Sequence, residues 1–180
     1  MRVVDRVLQD WRARVARRWI PPQDRVLDIG CHQGEFLRQL GDGIGPSLGL
    51  DPLAVPEENA RFRLLAEPFR EPLPLGDASF DAVVMLATLE HIRDKEPLAR
   101  ECFRLLRPGG RVIITVPSSG VDRIVDLLVR VRLADGMSLD EHHGFDPVDT
   151  PAIMARHGFL LEHRGQFQCG LNHLFVFRKP

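Results

Sequence analysis

The chain has 180 residues, 44% hydrophobic and 27% charged, which is enough for one full hydrophobic core and too few for two enzyme-sized units. Lys and Arg number 24 against 25 Asp and Glu, a formal charge of −1, so a general polyanion binder is excluded and nucleic acid is not an expected partner. No apolar run reaches the roughly 18 residues of a membrane-spanning helix, and acids and arginines stand where a secretion signal would be apolar. The three cysteines, Cys31, Cys102 and Cys169, are too far apart for a zinc pair and odd in number. A cytoplasmic protein with reduced thiols is expected.

Val4, Leu8, Trp11, Val15 and Trp19 recur at steps of three and four, which predicts a helix over residues 1–20 with that face apolar, stopped by Pro21-Pro22. Residues 25–29 form a short apolar run, followed by Gly30, Gly34 and the helical stretch Glu35–Leu40, a strand–turn–helix pattern. A second strand at 48–50 ends on Asp51. Five prolines between 52 and 79 leave room only for a short helix at 56–60 and a short strand at Phe62–Leu65. Phe80–Leu86 reads as a buried strand, 97–106 as a helix closed by Pro108-Gly109-Gly110, and 111–116 as the next strand. Residues 121–133 suit an unusually apolar helix, 135–146 a polar loop and 147–157 a helix stopped by Gly158. Two β-like runs, 159–168 and 171–178, flank a hairpin signal at Cys169-Gly170. This alternation predicts a single α/β, Rossmann-like sandwich over 1–180, with a mostly parallel sheet and an antiparallel C-terminal strand. Within it, residues 118–150 are a candidate substrate cover.

The stretch from Val26 to Phe36 carries a strand into a glycine turn at a helix start, where backbone N–H groups can face a ligand. Asp51 ends the following strand, 21 residues after Gly30, where a carboxylate can accept from both hydroxyls of a ribose. A dinucleotide fingerprint is not met, because His32 and Phe36 stand where small residues are needed. The turn instead resembles the first motif of the class I S-adenosylmethionine-dependent methyltransferases. Three further stretches match that family in order: Gly49-Leu50-Asp51, the run 73–84 leading to Leu89-Glu90-His91, and 105–115. The resemblance covers about residues 25–117 and implies S-adenosylmethionine as cofactor, with S-adenosylhomocysteine as product. It implies Asp28 near the methionine amino group, Gly30, Cys31, His32 and Gly34 under the methionine and ribose, and Asp51 on the ribose hydroxyls. Pro52 would flank the adenine, and Met85 and Leu86 would offer backbone contacts near the sulfonium. Two positions depart from the family pattern. His32 replaces the middle glycine, which requires a negative φ or strain. Phe69 stands where the family often has an acid for the adenine amino group.

The reading that follows is methyl transfer to an O, N or C nucleophile of a small or lipid-linked metabolite. A non-catalytic binding module of the same fold is the alternative, and a nicotinamide-dependent oxidoreductase a weaker one. His142 and His143 lie in a loop that covers the substrate side in the family, so either is a candidate proton acceptor, oriented by Glu141 or Asp146. No third ligand stands at a convincing spacing, so a metal is not expected. Arg2, Arg6, Arg12, Arg14, Arg17 and Arg18 face only Asp5 and Asp10 in the first helix. That helix and the apolar run 121–133 are the two candidates for peripheral membrane contact.

Overall fold

The computed structural model describes residues 3–118 and 146–180. The predicted helix 121–133, the loop after it and the pair His142 and His143 lie outside the described residues. In chain order the elements are α1 (Val3–Arg17), β1 (Val26–Ile29), α2 (Glu35–Leu40), β2 (Ser47–Leu50), β3 (Glu57–Glu58), β4 (Phe62–Leu65) and β5 (Phe80–Leu86). They continue with α3 (Lys95–Leu105), β6 (Leu106–Pro117), α4 (Thr150–Arg156), β7 (Leu160–Phe167) and β8 (Asn172–Arg178). One sheet holds all eight strands in the order β3-β4-β2-β1-β5-β6-β8-β7. Strands β4, β2, β1, β5 and β6 run parallel, while β8 is antiparallel to both β6 and β7. The α/β sheet with an antiparallel C-terminal strand is as the sequence predicts.

Because β1 pairs with β2 on one side and β5 on the other, the chain reverses its winding direction at β1. Sheets of this type bind ligands beyond the strand C-termini at such a reversal. Every residue of β1 and β2 is buried, which fits the mainly apolar sequences of central parallel strands and makes Asp28 within β1 the exception. Two cores fill the sheet faces. Ala13, Ala16, Leu37 and Leu40 pack with Val84 and Val176 on one side, and Leu98, Cys102 and Met154 pack with Met85 and Phe175 on the other.

Four local expectations are corrected. Residues 56–60 are not a helix: Glu57 and Glu58 pair antiparallel with β4, and the Asn59 side-chain oxygen accepts from the N–H groups of Arg61 and Phe62. An Asx-type turn closes this hairpin before a helical turn can nucleate. Of the predicted face of the first helix, Val15 and Trp19 pack on the core, but the buried residues among the described side chains of α1 are Ala13 and Ala16, and Trp11 points outward at 42% exposure. The two alanines let the helix axis approach β5 and β6 more closely than the larger predicted face would. The third helix starts at Lys95, capped by Asp94, and Pro108-Gly109-Gly110 lies within β6. There the register jumps from Phe80 opposite Leu106 to Ala82 opposite Arg111, a bulge made by the extra residues. The helix expected at 147–157 is a 3-10 turn, Pro147–Asp149, followed by α4, with the Asp146 side chain accepting from the Val148 N–H. Among the described residues no helix is long and apolar enough to cross a membrane.

The proline-rich segment before β5 is held by side chains. Glu101 on α3 is 2% exposed, accepts from the Leu73 N–H at 2.8 Å and pairs with Arg104 at 2.6 Å. Arg104 in turn donates to the Leu73 and Leu75 carbonyls. Glu101→Ala removes the acceptor from a buried N–H and is expected to lower stability by about 2–3 kcal/mol, measured by urea unfolding.

Candidate active site

The glycine turn sits directly on the C-terminal ends of the central strands. The N–H groups of Gly30 and Cys31 both donate to the Leu50 carbonyl, at 2.8 and 3.3 Å, which ties the turn to the end of β2. Gly30 has φ +80° and Gly34 has φ +76°, conformations that L side chains rarely adopt. A Cβ at Gly30 would lie 2.2 Å from the Thr88 Oγ1, and one at Gly34 would lie 2.9 Å from a Leu64 methyl. The turn is therefore wedged between the segment after β5 and the face of β4. His32 takes the strained option, with φ +49°. Its N–H donates to Asp51 Oδ2 at 2.9 Å, and its ring Nδ1 lies 2.9 Å from Glu35 Oε1. Two local bonds thus offset a conformation that costs about 1–2 kcal/mol.

Asp51 accepts from the His32 N–H on one oxygen and from the Leu53 N–H on the other, at 2.8 Å. Each oxygen keeps a second lone pair, so the carboxylate can still accept from two hydroxyls. Pro52 follows, and Leu53 and Val55 are among the most exposed large apolar side chains. Gln33 clamps this rim to the glycine turn, donating to the Leu53 carbonyl at 2.6 Å and accepting from the Val55 N–H at 3.2 Å. Phe69 is half-buried and packs against the core cluster that includes Leu98 and Met85. Met85 is fully buried, and Leu86, half-buried, ends β5 beside it. Burial pushes the Cys31 thiol up to about 12, so it is a packing group and not a nucleophile.

Asp28 lies below the turn, 2% exposed. Burial, then the charges of Glu35 and Asp51, push its carboxyl up to about 7, and among the described residues no cation or hydrogen bond opposes them. A buried carboxylate with nothing to neutralise it is costly in the ionised form and well matched to a ligand ammonium.

Sequence reasoning missed two groups. Gln33 could be recognised only from its partners in space. Glu90, on the 3-10 turn Leu89–His91 that follows β5, is 5% exposed and its Oε2 has no hydrogen-bond partner. Burial raises it to about 7 against the pull of its own backbone N–H and the charges of Arg12 and Lys95. An acid next to Leu89 in an otherwise apolar strand-end motif is the signal that could have found it.

The sequence profile of the methyltransferase domain family matches residues 2–164. The chain belongs to that family. It is 35% identical over 158 residues to a "probable S-adenosylmethionine-dependent methyltransferase" of Mycolicibacterium smegmatis, covering 74% of this chain and 60% of the relative. It is 36% identical over 103 residues to the ubiquinone biosynthesis O-methyltransferase of Pseudomonas fluorescens, covering 51% of this chain and 43% of that protein. The chain therefore spans roughly half the length of these curated relatives. A chain of the complex between the Haloferax volcanii Trm112 methyltransferase activator and its methyltransferase shares the fold. Its TM-score is 0.74 at 17% identity, over 98% of this chain and 93% of that one.

S-adenosylmethionine is thus the cofactor of this methyltransferase domain, and the site fits it. An ammonium would suit the buried carboxylate of Asp28, ribose hydroxyls the free lone pairs of Asp51, and an adenine the apolar rim at Leu53 and Val55.

Asp28 contributes to the pH dependence of the ligand-free protein, alongside Glu90. A folded-state value above the ordinary 3.8 means that its contribution is fully present below about pH 3.8 and is lost as pH rises through about 7. Asp28→Asn removes the share of that fall that Asp28 causes. At about pH 8 the ligand-free Asn variant is expected to be more stable by on the order of 2–4 kcal/mol, and at about pH 3 equal to the parent, by thermal unfolding.

Proposed function

We propose that this protein transfers the methyl group of S-adenosylmethionine to a nucleophilic oxygen, nitrogen or carbon of a small or lipid-linked metabolite, with a hydroxyl as the best-supported acceptor. The observation that carries the cofactor half is Asp28, a buried carboxylate at the mouth of the central strand with no counter-charge among the described residues. The hydroxyl is supported by the name of the O-methyltransferase relative and by Glu90.

In this reading Asp28 receives the methionine ammonium. The backbone of Gly30, Cys31, His32 and Gly34 supports the methionine and ribose, and Asp51 accepts from the ribose hydroxyls. Pro52 and Leu53 flank the adenine, and the backbone at Met85 and Leu86 borders the sulfonium. When bound, the cofactor supplies a methyl group on a sulfonium, a leaving group that needs no further activation. The protein's contribution is then alignment, where orientation alone can be worth roughly 7–11 kcal/mol. Glu90 takes the proton of an acceptor hydroxyl onto its unpaired oxygen as the new O–CH3 bond forms. A carboxylate raised towards neutrality is suited to that transfer.

Calorimetric titration with S-adenosylhomocysteine tests the cofactor half. Affinity is expected to rise as pH goes from about 6 to 8, because the ammonium binds the ionised form of Asp28, whose ligand-free value is about 7. Asp51→Ala is expected to cost about 1.5–3 kcal/mol of binding. Binding of a nicotinamide dinucleotide in place of S-adenosylhomocysteine would overturn the assignment.

The acceptor half is tested with Glu90→Gln and a hydroxylated aromatic acceptor. Turnover should fall roughly 10²-fold and lose its acidic limb, while affinity for S-adenosylhomocysteine stays unchanged. Unaltered turnover would leave Glu90 as a packing residue.

A further inference from the structure

The outer side of α1 carries a stripe that the fold does not use. On another side α1 is fastened to the C-terminal hairpin: Arg12 donates to Asn172 Oδ1 at 3.4 Å, and the Leu8 carbonyl accepts from Gln168 Nε2 at 2.8 Å. Asn172 pairs with Pro117 at the C-terminal end of β6, so the first half of α1 stands at the rim where the parallel strands end. Facing away from the sheet, Val7 and Trp11 are 56% and 42% exposed. Arg14 within α1 and Arg18 just beyond its end continue the same line at steps of three and four.

These arginines differ from those on the body of the molecule. Arg38, Arg100, Arg104, Arg111 and Arg156 each hold a carboxylate. The exposed Arg6, Arg14 and Arg18 take part in none of the ion pairs among the described residues. The chain as a whole carries a formal charge of −1, so this is a local basic strip with a tryptophan and a valine set into it. An indole favours the boundary between headgroups and acyl chains, and guanidinium groups favour lipid phosphates. The two features lie at adjoining points on one helical line, apolar near the rim and basic further along.

We propose that α1 docks this methyltransferase on an anionic lipid surface, with Trp11 and Val7 entering the interface and Arg14 and Arg18 on the headgroups. Docked this way, the rim beyond the strand ends, which the first half of α1 borders, lies beside the bilayer surface, where a lipid-linked acceptor resides. The inference draws on the proposed function for that purpose alone.

The test is co-sedimentation with vesicles of phosphatidylcholine alone and of phosphatidylcholine with about 30% phosphatidylglycerol. The full chain is expected to bind the anionic vesicles, more weakly as salt rises. Trp11→Ala should remove the blue shift in tryptophan emission, leaving half-buried Trp19 as the unshifted reference. The double variant Arg14→Glu/Arg18→Glu should weaken binding at least tenfold, since each arginine near a charged membrane is worth roughly fivefold. Unchanged affinity for S-adenosylhomocysteine in each variant shows that the fold and cofactor site are intact. Absence of binding, equal binding to both vesicle types, or binding indifferent to these substitutions overturns the proposal. Self-association abolished by Trp11→Ala overturns it too, by making a second copy the occupant. None of these readouts needs turnover, so failure of the methyl-transfer reading is seen separately.

Discussion

One buried carboxylate organises the mouth of this sheet. Asp28 belongs to a strand sealed on both sides by its neighbours, and no charge among the described residues offsets its own. Such a group destabilises the ligand-free protein whenever it is ionised, and a positively charged ligand would relieve that cost. The surroundings agree with that. Glu35 and Asp51 add further negative charge, and the turn above presents backbone instead of side chains. A cofactor that carries both an ammonium and a sulfonium is the natural complement to so acidic a basin.

The motifs behave as one body because their glycines are contact points. Gly30 admits Thr88 from the segment after β5, and Gly34 admits Leu64 from β4. Gly49 on β2 is crowded in the same way, by Cys31 and Leu64. Family patterns of this kind are usually read one at a time, each as a ligand contact. Here the same residues interlock, so a larger side chain at any of them disturbs the packing of the turn before it reaches the ligand.

What was legible in the sequence was what is local. The apolar run of β1, its terminal acid, the glycines and Asp51 all follow from neighbours along the chain, as does the hairpin of β7 and β8. The failures involve weak local signals overruled by contacts in space. Ala13 and Ala16 contribute little to an apolar stripe, yet they decide which side of α1 meets the sheet, because small residues permit close approach. The hairpin at Glu57 depends on one Asn59 side chain. Glu90 is conspicuous only once its burial is known, and Gln33 only once it is seen bridging two loops.

His32 has an effect beyond the bonds it makes. A glycine at this position would sample both halves of conformational space in the unbound state. A histidine already held in the left-handed region by Asp51 and Glu35 has far fewer alternatives to give up. The turn is thus preorganised, with part of the ordering done during folding and not left for ligand arrival. In a calorimeter this departure from the family's middle glycine would register as a smaller entropic penalty on association.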